Sequence, residues 1–268
     1  VFHRDFYSFP SLRFFDLIMK KIVFLLLSVV ILLGSDFRYR KYRHVKEFNE
    51  PLAKKTIELA KKYNMPPAAI LAIASVESGY GRGYVASISG NILSLGTNKG
   101  EKELPPLYLP NVIKPYKIIY NPKEIRKYKK SELKYKKRAK SLKKDYRPSP
   151  YGGTSKMLEY FDEHPKEKVK ANLTCIEDFC RVWISENNRY EPFKKARRDL
   201  ELRVKNGGKD ALFEKDTAIE FINNIGGKPH SFNYRKTWPK KVQSVMKNSG
   251  LVELMSEMNS GKTFKESW

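Results

Sequence analysis

AIASVESGYG, residues 72–81, decides how the rest of the chain is read. It closes an uncharged run, MPPAAILAIAS (65–75), in a chain where 31% of residues are charged, and then places one carboxylate, Glu77, just before Ser-Gly-Tyr-Gly. Pro66 and Pro67 suit the start of a helix and Gly79, Gly81 and Gly83 its end, so the spacing predicts a helix that stops at Glu77. A helix with no charged face belongs in a core. Glu77 follows Ile70, Ile73 and Ala74 at i+7, i+4 and i+3, so it shares their face, and it stands at the negative end of the helix dipole. Both conditions disfavour the ionised carboxylate. A carboxyl group kept protonated near neutral pH is what a glycosidase uses to protonate a leaving-group oxygen. On helix position alone, a solvated Glu is the commoner arrangement.

The whole chain has 268 residues and a formal net charge of +24. That surplus calls for acidic partners and does not by itself choose among nucleic acid, anionic lipid and anionic envelope polymers. The N-terminus narrows the choice. MKKIVFLLLSVVILLGS (19–35) has a basic start, an apolar run and small residues at its end, the layout of a signal peptide or, failing cleavage, of an N-terminal anchor. Residues 1–18 then look like upstream sequence translated ahead of Met19. An exported protein of the periplasm or cell envelope, released or anchored to the membrane by an uncleaved segment, has glycan strands, anionic envelope polymers or the membrane surface as partners, and not nucleic acid. A monomer is expected.

After the signal, 36–48 is a basic linker that could lie on an anionic surface. One domain, 49–256, follows, with a tail at 257–268. PLAKKTIELAKKYN reads as an amphipathic helix capped by Asn49. YLPNVI and YKIIY look like short strands. Between 114 and 147 there are 15 Lys/Arg against 3 Asp/Glu, a surplus of +12 that is half the charge of the protein. This lysine-rich insertion is either a solvated excursion or a groove wall for an anionic polymer, with Tyr116, Tyr120, Tyr128, Tyr135 and Tyr146 available to stack on sugars. Thr174 with Glu177, and Thr217 with Glu220, have capping-box spacing and predict two further helix starts, the second helix ending at Gly226-Gly227. WPKKVQSVMKNSG predicts the last. Cys175 and Cys180 would lie on one helix; five residues rise about 7.5 Å, beyond the roughly 7 Å of an unstrained disulfide. Cys180 is then a small core residue and Cys175 a free thiol. His164 and His230 lack ligand-spaced neighbours, so no metal and no cofactor is expected. The fold class is α+β and mainly helical, with a cleft between a helical lobe and a small β-rich lobe.

ESGYG (77–81) resembles the E-S-G-W-G motif of the bacterial endo-β-N-acetylglucosaminidases of glycoside hydrolase family 73, the autolysin-type and Bax-related glucosaminidase domains. PAAILAIASV is similar to their I-L-A-Q-A-A-L helix, and SGNILSLGTNKG (89–100) to their N-N-L-F-G-I-K segment, with Asn91, Leu93 and Gly96 in register. TCIEDFCRVWISENNRY resembles their S-x-x-D-x-x-x-x-L-x-x-N-x-x-Y stretch, and SFNYRKTWPKKVQSVM their final Y-x-x-K-[IV] helix. The resemblance implies a lysozyme-like fold and cleavage of the β-1,4 bond after N-acetylglucosamine in peptidoglycan. Glu77 would be the general acid, Asn91 and Tyr80 would shape the cleft, and Tyr234 would line it opposite the acid. Ser78 would touch substrate or, more simply, cap the helix.

The second carboxylate usual in that family has no clear counterpart. Glu101, Glu103 and Glu124 are the candidates, and substrate assistance by the N-acetyl group is the alternative. Two other activities stay open: a lytic transglycosylase of lysozyme-like fold, against which GNILSLG stands in place of a G-L-M-Q-type segment, and a non-catalytic cationic cell-wall-binding protein.

Overall fold

The computed structural model describes residues 37–114, 117–119, 122–137 and 142–268. The expected upstream extension (1–18) and signal segment (19–35), together with Tyr116 and Tyr120, lie outside these residues. Among the described residues no helix is long and apolar enough to cross a membrane.

Arg38–Trp268 forms one unit. Its first elements are the helices α1 (Arg43–Asn49), α2 (Ala53–Tyr63), α3 (Pro67–Ser78) and α4 (Tyr84–Ser89). A small sheet follows, made of β1 (Tyr108–Val112), β2 (Lys117–Ile118) and β3 (Leu133–Lys137), with the short helix α5 (Pro122–Ile125) before β3. The remainder is helical: α6 (Tyr160–Glu163), α7 (Pro165–Asp178), α8 (Glu191–Gly207), α9 (Lys215–Ile225), α10 (Trp238–Asn248), α11 (Leu251–Asn259) and α12 (Phe264–Ser267). The protein is mainly helical α+β.

α3 is the centre of the core. Every residue from Pro67 to Ser75 is buried, and α2, α9, α10 and α11 all pack on it. Ile70, Leu71 and Ile73 are fully buried, each contributing about 2 kcal/mol through removal from water. Truncating Leu71 to alanine would cost about 3 kcal/mol, because a closed core cannot collapse into the cavity.

Of the basic stretch expected as a linker, 36–48, the described residues, 37–48, are folded instead. Arg40 donates to the carbonyls of Ser249, Gly250 and Ser267 at 3.1, 2.8 and 2.8 Å and lies 5.1 Å from the centre of the Trp268 ring. The tail expected at 257–268 is equally built in. Thr263 and Glu266 cap α12 reciprocally, and Phe264 is buried. Asn49 does not cap the second helix; it ends α1, buried, with its Nδ2 donating to the Val45 carbonyl at 2.8 Å.

β1 lies between β2 and β3 and is antiparallel to both, with Val112 opposite Lys117 on one side and Leu133 on the other. Two of the strands fall in the segments expected from the sequence; β3, LKYKK, was not anticipated. Beyond it, residues 142–146 thread between two loops. Thr97 N donates to Leu142 O and Lys144 N to Leu95 O, both at 3.0 Å, while Leu104 N donates to Lys143 O at 2.8 Å. The insertion therefore ends inside the fold. Asp145 and Arg147, both fully buried side chains, pair at 2.6 Å, and Arg147 also donates to the carbonyls of Thr154, Lys156 and Met157.

The two capping boxes expected at Thr174 and Thr217 fall within helices. Thr174 Oγ1 donates back to Lys170 O at 3.0 Å, and Glu177 accepts from Tyr63 on α2 at 2.6 Å. Glu220 accepts from Arg203 on α8 at 2.6 Å. The helices begin earlier, at Pro165 and Lys215. Cys175 and Cys180 are unpaired with one another and both fully buried. Burial pushes the Cys175 thiol up to about 12, so it is an inert core thiol, not an accessible one.

Candidate functional site

The last turn of α3 fixes where each of its side chains points. Gly79 closes the helix in the left-handed region, at φ +57, returning its N–H to Ser75 O. Ser78 Oγ donates to Ala74 O at 2.5 Å and accepts from Gly81 N at 2.8 Å, so Ser78 is a buried cap. Glu77 is left half-buried, with its Oε1 accepting a 2.7 Å hydrogen bond from the indole Nε1–H of Trp238.

Trp238 opens α10 and is 4% exposed. Its ring lies 5.7 Å from that of Phe232, and on the other side it meets the backbone of Gly226, where a Cβ would stand 2.2 Å from the indole. No residue other than glycine leaves room for the ring there. The Gly226-Gly227 pair thus ends α9 and also seats the donor to Glu77.

Lys143 completes the surroundings. Its ammonium donates to the Ser94 carbonyl at 2.6 Å. Burial pushes Lys143 below the ordinary lysine value, and the neighbouring Glu77 carboxylate works in the opposite direction. Glu77 is therefore held by a fixed neutral N–H, and the partly buried Lys143 ammonium, bonded to Ser94, acts on it through its charge.

The other residues named from the sequence take different places. Asn91 is buried and fully engaged: its Nδ2 donates to Leu95 O and Lys144 O, both at 2.9 Å, and its Oδ1 accepts from Leu95 N at 2.8 Å. It clamps the loop after α4 to the 142–146 segment, and thereby holds Ser94 and Lys143. Tyr80, at φ +58, packs edge-on against Phe48 and His44, with ring centres 5.9 and 5.4 Å away. It braces the Glu77 turn from the side of α1. Tyr234 is 72% exposed and lies four residues before Trp238.

Glu101 is tied to Lys144 at 2.8 Å and to Asn98 N at 2.8 Å; burial alone would raise it, but these partners hold its carboxyl below the usual range. Glu124 is bonded to Lys117. Glu103 Oε1 stands 3.5 Å from Thr97 Oγ1, on the strand-like segment paired with Lys144. Of the tyrosines of the basic insertion, Tyr146 is drawn inward, its hydroxyl donating to Asp178 at 3.0 Å, whereas Tyr135 is 61% exposed. Among the described residues, no group of His, Cys, Asp and Glu side chains is placed to hold a metal ion.

Sequence reasoning missed Trp238 and Lys143. A signal for the first was present: Trp238-Pro-Lys-Lys241-Val242 has the Y-x-x-K-[IV] spacing, with tryptophan in the aromatic position, whereas Tyr234 lies one turn upstream. Nothing in the lysine-rich run distinguishes Lys143 from its neighbours. No protein-family model, no curated protein and no solved structure matches the chain.

Proposed function

We propose that this chain is an exported peptidoglycan hydrolase that cuts the β-1,4 bond after N-acetylglucosamine, on a lysozyme-like fold with its cleft between the helical part and the small sheet. Its partners in this reading are glycan strands and anionic polymers of the envelope. The observation that carries the reading is the Glu77 carboxyl group, half-buried in the last turn of a helix that is buried from Pro67 to Ser75, with Oε1 held by the Trp238 indole. A carboxylic acid fixed through one oxygen presents the other, with its proton, in a defined direction.

The proton passes from Oε2 to the glycosidic oxygen as the C1–O bond breaks, and the carboxylate left behind is stabilised by the indole N–H and the Lys143 ammonium. Glu101 and Glu124 are held by lysines; in this reading the second group is either Glu103 or the carbonyl oxygen of the substrate's own acetamido group, which would attack C1 before water. The same single-acid arrangement suits a lytic transglycosylase, in which the sugar's 6-hydroxyl takes the place of water.

The test is incubation of the protein from Phe37 onward with purified peptidoglycan and mass spectrometry of the released fragments, beside Glu77→Gln. Reducing N-acetylglucosamine ends that vanish in the variant support the hydrolase; 1,6-anhydro ends support the transglycosylase. Tight sedimentation with the wall and no fragments from either protein would leave a cationic wall-binding protein.

A further inference from the structure

Residues 37–48 carry Arg38, Arg40, Lys41, Arg43 and Lys46 against one acid, Glu47. The fold sorts these cations. Arg40 is turned inward onto the carbonyls of Ser249, Gly250 and Ser267, whereas Arg38, Lys41 and Arg43 are exposed. We infer that the face they form together with Tyr42 docks on an anionic phospholipid bilayer.

The face is held in shape by its own contacts. Arg38 donates through Nε and Nη2 to Asn248 Oδ1 at 3.1 and 2.9 Å, next along the chain to the exposed Lys247. Tyr39 N donates to Asn248 O at 3.0 Å, so the start of the unit is pinned to the end of α10. The Tyr39 and Tyr42 rings have centres 6.3 Å apart, and the Lys41 ammonium lies 5.4 Å from the centre of the Tyr42 ring. Tyr42 is nevertheless 45% exposed. Arg43 reaches Glu47 at 2.7 Å in an open i,i+4 pair that water weakens, so the acid offsets one charge and leaves a surplus.

The row of rings continues inward. His44 stacks on Tyr42 with centres 5.8 Å apart, and its other neighbour is Tyr80, 5.4 Å away. Burial, followed by the Arg82 guanidinium, keeps His44 below the ordinary histidine value against the pull of Glu47. It is a neutral ring near pH 7, and the face adjoins the turn that follows Glu77.

Cations alone would suit any polyanion; two observations select a bilayer. Tyrosine among the cations fits the headgroup layer, which takes both the apolar body of the ring and its hydroxyl. The apolar run 22–34 also ends four residues before Arg38. Four residues reach at most about 14 Å, so an uncleaved run would hold this face at the headgroups, and after cleavage the face keeps its own attraction to anionic lipid. The choice of a bilayer rests on reading that run as an export signal or anchor, and on no reaction at Glu77.

The protein from Phe37 onward, whose first turn is closed onto its last by the Arg40 contacts, is sedimented with phosphatidylcholine vesicles, with and without phosphatidylglycerol. Binding is expected with phosphatidylglycerol only. Lys41→Gln combined with Arg43→Gln should weaken it about thirtyfold, the worth of two cations at an anionic surface. Lys130→Gln combined with Lys134→Gln, at exposed positions beside and on β3, removes the same charge and should weaken it less than about threefold. Tyr42→Ser should weaken vesicle binding and leave binding to soluble polyphosphate unchanged. Equal losses from the two pairs, no need for phosphatidylglycerol, or no vesicle binding would overturn the docking face. A parallel loss of polyphosphate binding in Tyr42→Ser would overturn it too, in favour of a soluble envelope polymer. Fragment release is measured beside these: release without vesicle binding rejects the docking face alone, and vesicle binding without release rejects the hydrolase alone.

Discussion

α3 and α7 each carry a carboxylate in the last turn, Glu77 as the penultimate residue and Asp178 as the last, and the two are surrounded in opposite ways. Asp178 is 8% exposed and accepts from the Lys144 ammonium, from the Tyr146 hydroxyl at 3.0 Å and from Arg181 at 3.4 Å. Burial, before any charge effect, pushes Tyr146 far above the ordinary tyrosine value, so its proton stays in place as a donor. Both oxygens of Asp178 are engaged inside the fold. Glu77 has one neutral donor, Trp238, a cation nearby and an open side. The same functional group is a structural tie at one helix end and a carboxyl group with an open side at the other. What separates them is how many partners the tertiary structure supplies, because both are carboxyl groups in the last turn of a helix.

Five substitutions would break or sharpen that contrast. Glu77→Gln removes the acid and keeps the Trp238 hydrogen bond, so fragment release should fall by about 10³-fold, with the thermal midpoint shifted by less than about 2 °C. Asp178→Asn should do the reverse. It leaves Lys144 and Arg181 with reduced compensation in a partly buried site, costing about 2 kcal/mol in urea unfolding, while activity per folded molecule stays within about threefold of wild type.

Trp238→Phe keeps a ring and deletes the donor. It should lower activity about tenfold and stability by about 1 kcal/mol. Gly226→Ala sharpens the same point from outside the hydrogen bond, because its methyl would enter the indole at 2.2 Å and displace it; activity should fall although Glu77 and Trp238 are both intact.

The smallest effect concerns acid. Asn98 N–H and Lys144 hold Glu101 below the usual carboxylate range against the opposing effect of burial. A carboxyl group with a depressed folded-state value adds stability above its unfolded value of about 4.3 and loses it as pH falls through the folded value. Urea unfolding between pH 6 and pH 3 should therefore be less steeply pH-dependent in Glu101→Gln than in wild type.

Local chemistry made some of this structure legible from residues alone. The start of α3 at Pro67, its end at Gly79, the placing of Glu77 and the strands at 108–112 and 117–118 depend on nearby backbone preferences, and sequence spacing carries them. What was not legible depends on partners far along the chain. Arg40 gave the appearance of a linker residue because its acceptors are 209 to 227 residues away. Thr174 with Glu177 has the spacing of a cap, yet Glu177 is taken by Tyr63 on another helix and the true start is Pro165. Asn91 looked like a cleft residue from a motif, although its amide is used up in tying two loops together. Lys143 could not be singled out among so many lysines, because only the threading of 142–146 between two loops brings it to Glu77.

The central claim is that Glu77 and Asp178 have divided chemistry and architecture between them. The most direct measurement is the rate of fragment release from peptidoglycan by Glu77→Gln and Asp178→Asn side by side, each corrected for its folded fraction by urea unfolding. The account predicts a stable, inactive Glu77→Gln protein and a destabilised Asp178→Asn protein that remains active once folded. An active Glu77→Gln protein, or a stably folded Asp178→Asn protein without activity, would contradict it.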